Sequence, residues 1–150
     1  LALTAAETGH LVFATLHTTS AALTINRIID VFPAEEKDMV RSMLSDSLQA
    51  VVTQTLLKKV SGGRIAAHEI MIGTPAVRNL IREDKVAQIY SVIQTGSSLQ
   101  MKTLDQSLST LVDEGVISLE TAREKAVSPK HISKDERNNY SLPSFPEFPK

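Results

Sequence analysis

His10 and His17 stand seven residues apart, and the second leads straight into Thr18, Thr19 and Ser20. An imidazole followed by three hydroxyl residues is a set of groups suited to an anion. A histidine can donate a hydrogen bond to a phosphate or orient a water, and a helix that starts here brings its free N–H groups to the same place. The two histidines do not form a metal pair. Leu11 to Leu16 (LVFATL) between them reads as a strand, and at about 3.3 Å per residue the seven-residue step is roughly 23 Å. His17 therefore falls at the carboxyl end of a strand, where ligands bind in open α/β sheets. The plainer reading is a helix cap preceded by a loop histidine, and spacing alone favours it.

A second cluster is Ala76-Val77-Arg78-Asn79-Leu80-Ile81-Arg82-Glu83. Arg78 and Arg82, four residues apart, share one helix face while Val77, Leu80 and Ile81 point elsewhere. Two guanidinium groups can grip carboxylates across a subunit contact, where Arg is the preferred donor. A solvated face is the plainer alternative. Arg64, just after a Gly-Gly turn, can reach a nucleotide, although an exposed arginine at a strand start is the plainer and favoured reading. His68 and Glu69 alternate across the same strand, so one of them faces its polar side. His131 carries no hypothesis.

Composition removes several classes of function. The chain has 150 residues, 42% hydrophobic and 22% charged, with a formal net charge of −1. That is ordinary globular usage, and a domain of this length can bury about 68–70% of its unfolded surface. Zero cysteines exclude a disulfide scaffold and any thiolate metal site or cysteine nucleophile. No apolar run approaches the roughly 18 residues of a membrane span. Near-neutral charge without a basic stripe speaks against a nucleic-acid partner. No Gly-x-x-x-x-Gly-Lys-Ser/Thr phosphate loop occurs, and no strand ending in a carboxylate precedes His10 to hold magnesium. By itself the chain is expected neither to bind ATP tightly nor to hydrolyse it.

The elements that must position these residues follow from periodicity. Leu1 to Thr8 reads as the last turns of a helix ending at Gly9, with no N-cap ahead of it. A chain that opens this way, on Leu rather than Met, is expected to be a C-terminal piece of a longer protein. Leu11 to Leu16 has the near-continuous apolar character of a strand buried on both faces of a parallel sheet. Ile25, Ile28, Ile29 and Phe32 form a helical stripe, and Pro33 is expected at the first position of the next helix. Val51 to Val60 and Arg64 to Ile72 around Ser61-Gly62-Gly63 predict a hairpin. Thr74-Pro75 caps a short helix through about Glu83. Val86 to Ile93 predicts a further helix stopping near Gly96, Thr103 and Gln106 a capping box, and Ser118 to Lys125 a last helix. Residues 128–150 hold Pro129, Pro143, Pro146 and Pro149 without periodicity and read as an extended or disordered appendage.

Three motifs in this order give the chain a resemblance. Gly9-His10 through His17-Thr18, the run Gly62-Gly63-Arg64-Ile65-Ala66-Ala67-His68-Glu69-Ile70-Met71, and Ala76 to Glu83 resemble the C-terminal half of the type IV pilus retraction ATPase (PilT) family, within the secretion-ATPase superfamily. The likeness runs from Leu1 to about Ala126. Val77 stands where isoleucine is usual, and Gln100 and Lys102 stand where Gly and Gln are more common.

The resemblance implies an α/β fold: the latter part of a RecA-like P-loop ATPase core over residues 1–74, a helical C-terminal subdomain over 75–127, and the tail 128–150. It implies a cytoplasmic homohexamer, peripheral at the inner membrane beside a pilus platform protein, that couples ATP hydrolysis to pilus retraction and twitching motility. His17 would sit near the γ-phosphate and His10 would position the catalytic region or a subunit contact. The Arg78–Glu83 helix would serve retraction rather than nucleotide binding. The phosphate loop and the ligands of Mg2+ would lie upstream of Leu1. A pilus-extension or type II secretion ATPase is the nearest alternative, and a non-enzymatic interaction module is one from another class.

Overall fold

The computed structural model describes residues 2–133. It opens with helix α1 (Ala2–Glu7), which ends at Gly9 through backbone bonds from Gly9 N to Ala6 O and from His10 N to Ala5 O. Residues 10–18 follow without regular structure, and then helix α2 (Ala21–Asp30) begins behind Ser20. Pro33 is not the first helical residue as expected. Its ψ of 156° is extended, so it caps a 3-10 turn (Ala34–Glu36) that feeds helix α3 (Lys37–Ser47).

The only sheet among the described residues is an antiparallel hairpin of β1 (Ala50–Lys58) and β2 (Arg64–Ile72). Its turn carries Gly62 and Gly63 at φ of +90° and +75°, a region that L side chains avoid. The register pairs Ala50 with Ile72 and Lys58 with Arg64. Alternation then sends Val51, Thr53 and Leu57 of β1, and Ala67, Glu69 and Met71 of β2, to one buried face. Val52 and Leu56 point the other way and are exposed.

Helices α4 (Pro75–Arg82), α5 (Ile89–Thr95), α6 (Leu104–Asp113) and α7 (Leu119–Lys125) complete the described elements. The starts of α4, α6 and α7 are those the sequence marks, whereas α5 begins at Ile89 behind a 3-10 turn over Val86–Gln88. Thr74 accepts from Val77 N, Ser118 accepts from Thr121 N, and Thr103 with Gln106 forms a reciprocal capping box. Two apolar clusters share the buried face of the hairpin. One joins Met71 and Val51 to Ile25 and Ile29 of α2, Val40 and Leu44 of α3, Val77 and Ile81 of α4, and Ile89 and Ile93 of α5. The other joins Leu57 and Ala67 to Leu104, Leu108 and Val112 of α6, Ala122 of α7, and Ile132. Residues on both sides of position 74 thus share the first cluster.

Two expectations change. Leu11 to Leu16 pairs with no strand among the described residues, and Leu11 and Phe13 are 76% and 90% exposed. A strand of a parallel sheet needs neighbours on its edges and helices on its faces, and the hairpin supplies neither to this segment. The appendage expected from 128 is packed at its start. A 3-10 turn (Pro129–His131) puts Ile132 fully inside the second cluster, and the Arg123 guanidinium donates to Ile132 O through Nε and Nη2 at 3.2 and 3.1 Å. The rest of that appendage, residues 134–150, lies outside the described residues.

Candidate functional site

Helix α2 sets the geometry around His17. Its first turn has no intrahelical partners for its N–H groups, and Ser20 Oγ accepts from Leu23 N at 3.2 Å. Thr24 Oγ1 donates to Ser20 O at 2.9 Å and lies 2.6 Å from Thr18 Oγ1, so the turn before the helix is tied down at residues 18 and 20. His17, Thr18 and Thr19 then form one wall of a cleft of about 370 Å³, with Leu23, Asn26, Arg27 and Asp30 of α2 opposite. The His17 imidazole is exposed there.

That cleft suits contact with one phosphoryl group. His17, Thr18, Thr19, Asn26 and Arg27 all offer donors. Asp30 is the one carboxylate, and it is bonded to Lys37 Nζ at 2.7 Å. Among the described residues no group of three His, Asp or Glu side chains could hold a metal ion. The cleft therefore fits the edge of a phosphate and does not fit a Mg2+ site.

The other residues singled out by sequence fall elsewhere. His10 is exposed at the end of α1, its Nδ1 3.1 Å from Thr8 Oγ1. Arg64 is exposed at the start of β2 and is not among the lining residues of the His17 cleft. Arg78 turns inward. Its Nε donates to Gly73 O at 2.8 Å, and one terminal nitrogen donates to Ser45 O at 2.7 Å and to Asp46 O. The guanidinium thereby closes the free carbonyls at the end of α3, a cationic cap that also suits the helix dipole. Arg82 pairs with Asp46 at 2.7 Å, and Arg41 of α3 pairs with Asp84 beyond α4 at 2.8 Å. Both arginines of the α4 motif thus hold α4 to α3 within the chain. Val77 and Ile81 are buried, whereas Ala76, Asn79 and Glu83 are exposed.

Sequence reasoning left His68 and Glu69 undivided. His68 is half-buried, with Nε2 3.3 Å from Gln54 Oε1 across the hairpin. Glu69 is the inward one, 2% exposed, and its Oε1 accepts from Ala21 N at 2.8 Å. A second buried carboxylate lies on α6. Asp105 accepts from Val127 N and Ser128 N at 2.7 and 2.8 Å. Nearby, burial and then the charge of Asp105 push the Tyr90 hydroxyl above its ordinary pKa, against the pull of a hydrogen bond with Thr103, and the charge of Glu69 adds to the rise.

Residues 1–63 match the family described as type II/IV secretion system protein. Over 132 residues the chain is 75% identical to the type IV pilus retractation ATPase PilT of Pseudomonas aeruginosa, covering 88% of this chain and 38% of that protein. Over that span the chain is similar to part of PilT. A twitching motility protein of Neisseria gonorrhoeae is 63% identical over 134 residues, or 89% of this chain and 36% of that one. The chain thus spans between a third and two fifths of the length of these PilT relatives. A crystal structure of the pilus retraction motor PilT with bound ADP superposes with a TM-score of 0.76 at 50% identity, over 86% of this chain and 36% of the motor. The α/β arrangement is that of the corresponding part of this PilT motor.

Proposed function

We propose that this chain is the C-terminal portion of an ATP-hydrolysing motor that powers type IV pilus retraction, with His17 placed at the terminal phosphate. The observation that carries the reading is the cleft itself. An imidazole, two hydroxyls and a guanidinium line one cleft beside α2, with the guanidinium of Arg27 in the last turn of that helix, in a chain 75% identical over 132 residues to a pilus retraction ATPase. ATP supplies the phosphoryl group whose charge changes as the terminal bond breaks. His17 donates a hydrogen bond to that group, Thr18 and Thr19 offer hydroxyls, and the tie from Thr24 to Ser20 keeps the turn from yielding.

The remaining parts of the motor follow from the same reading. The phosphate loop and the Mg2+ ligands come from sequence upstream of Leu1, and neighbour strands for Leu11 to Leu16 come with them. The exposed Leu11, Phe13, Val52 and Leu56 side chains support that arrangement. The working form is a cytoplasmic homohexamer, peripheral at the inner membrane against a pilus platform protein. No described helix is long and apolar enough to cross a membrane. His10 serves the catalytic region or a subunit contact, and Arg64 reaches nucleotide only from a neighbouring subunit. Residues 1–74 and 75–127 are parts of one packed body, distinguished by motif, with 128–150 following them. Arg78 and Arg82 make α4 a fixed outgrowth of α3, and Ala76, Asn79 and Glu83 are its outward face for the retraction step.

The test is His17→Ala in the intact ATPase. Turnover is expected to fall by about a hundredfold while the melting temperature stays near that of the parent. Unchanged turnover would remove His17 from the mechanism. Deleting the gene separates the direction of the motor: piliated, immotile cells mean retraction, whereas bald cells mean extension.

A further inference from the structure

Glu69 is a buried carboxylate that the phosphate-contact reading leaves without a task. Burying a carboxylate is costly unless hydrogen bonds replace its water. Here the compensation comes from Ala21 N, the first helical residue of α2, 48 positions away in sequence. The helix does not need Glu69 as a cap, because Ser20 already accepts from its first turn. Two acceptors therefore meet one helix start, a local one and one that reaches across from the sheet.

The position of Glu69 on the hairpin is as informative as its bond. Ala67, Glu69 and Met71 follow one another on the buried face of β2. Ala67 belongs to the cluster under α6 and α7, and Met71 to the cluster under α2 to α5. Glu69 thus stands at the joint between the two clusters. From there it touches the backbone four residues beyond His17. Opposite it lies Tyr90 of α5, whose hydroxyl feels the charges of both Asp105 and Glu69. Just beyond, Ile70 exchanges backbone bonds with Lys102 at 2.8 and 3.1 Å, tying the same stretch of β2 to the approach to α6.

From this placement we infer that Glu69 is a positioning residue: its hydrogen bond to Ala21 N fixes the His17–Ser20 turn to the hairpin and so sets where the His17 imidazole stands. The inference rests on the reading of His17 as the phosphate contact. A carboxylate anchored on a strand is a stiff reference, and the negative group is favoured at a helix N-terminus. Losing it would leave the turn held by its own local bonds, Leu23 N to Ser20 Oγ, Thr24 Oγ1 to Ser20 O, and the contact of Thr18 Oγ1 with Thr24 Oγ1.

The experiment compares Glu69→Ala, Glu69→Gln, His17→Ala and the His17→Ala/Glu69→Ala double variant in the intact ATPase. Steady-state turnover of ATP and amide hydrogen exchange at Ala21 are measured on each. Glu69→Ala is expected to lower kcat by about ten- to a hundredfold, with KM for ATP nearly unchanged, and to speed exchange at Ala21. Glu69→Gln keeps an acceptor oxygen and is expected to restore both. In the His17→Ala background, Glu69→Ala is expected to cost nothing further. Losses that multiply in the double variant, or Ala21 exchange unchanged in Glu69→Ala, would overturn the inference. If Glu69→Ala does not fold, Glu69→Asp withdraws the carboxylate by one methylene and takes its place in every comparison. Full turnover in His17→Ala would defeat the phosphate-contact reading alone, and the Ala21 exchange rates would still decide whether Glu69 anchors the turn.

Discussion

Gln100 has φ +62° and ψ +17°, the left-handed conformation, at the end of the 3-10 turn Ser97–Leu99. A Cβ in this region crowds the following carbonyl and costs about 1 kcal/mol. Glycine in this conformation carries no such cost. Gln100→Gly is therefore expected to stabilise the protein by about 0.5–1 kcal/mol, read as a higher urea midpoint at unchanged slope. The companion departure, Lys102, is neutral for a different reason. Its contacts with Ile70 are backbone bonds, which any residue but proline can make. Arg78 shows the same distinction between type and use. Its charge suggests a surface contact, yet three backbone carbonyls of the chain occupy it.

At the scale of elements, the passage from β2 into α4 leaves no room for a side chain. Gly73 N donates to Gln49 O at 2.7 Å, and a Cβ on Gly73 would collide with the carbonyl oxygen of Leu48 and lie 3.1 Å from that of Gln49. Backbone cannot move aside as a side chain can. Gly73→Ala is expected to cost about 2–3 kcal/mol, as other overpacking changes do, measured by thermal or denaturant unfolding. The loss would fall on the junction of α3, the hairpin and α4, because Gly73 O is also an acceptor for Arg78. The capping box of α6 is the opposite case, a junction made wholly by residues three apart and so visible in sequence.

For the whole molecule, the question is what joins the two clusters and the segment after α7. Asp105, nearly buried on α6, holds the amides of Val127 and Ser128, and this bends the chain back so that Ile132 enters the second cluster. Hydrogen bonds to a charged group are worth about 1.5–3 kcal/mol, and deserted amides add their own cost. Asp105→Ala is expected to destabilise by about 2–3 kcal/mol and to open residues 127–132 to proteolysis. Cleavage no faster than in the parent would show that Ile132 alone keeps the segment in place. The exposed ion pairs contribute less. Glu83 and Lys85 meet at 2.8 Å in open solvent, where such a pair adds little, although Lys85 does hold the Glu83 carboxyl below its ordinary pKa.

Length and sequence alone determined the local elements. The hairpin, the Thr74 and Ser118 caps, the Thr103–Gln106 box and the stop at Gly9 all rest on residues within a few positions of one another, and caps, turns and periodicity are local physics. The order of the three motifs likewise carried the resemblance to PilT. Tertiary structure alone decided the rest. Whether His68 or Glu69 turns inward depends on α2, 48 residues earlier, and the use of Arg78 depends on carbonyls 32 and 33 residues earlier. The apolar run Leu11 to Leu16 has the composition of a strand yet forms none among the described residues, since a strand is completed by the neighbours that share its hydrogen bonds.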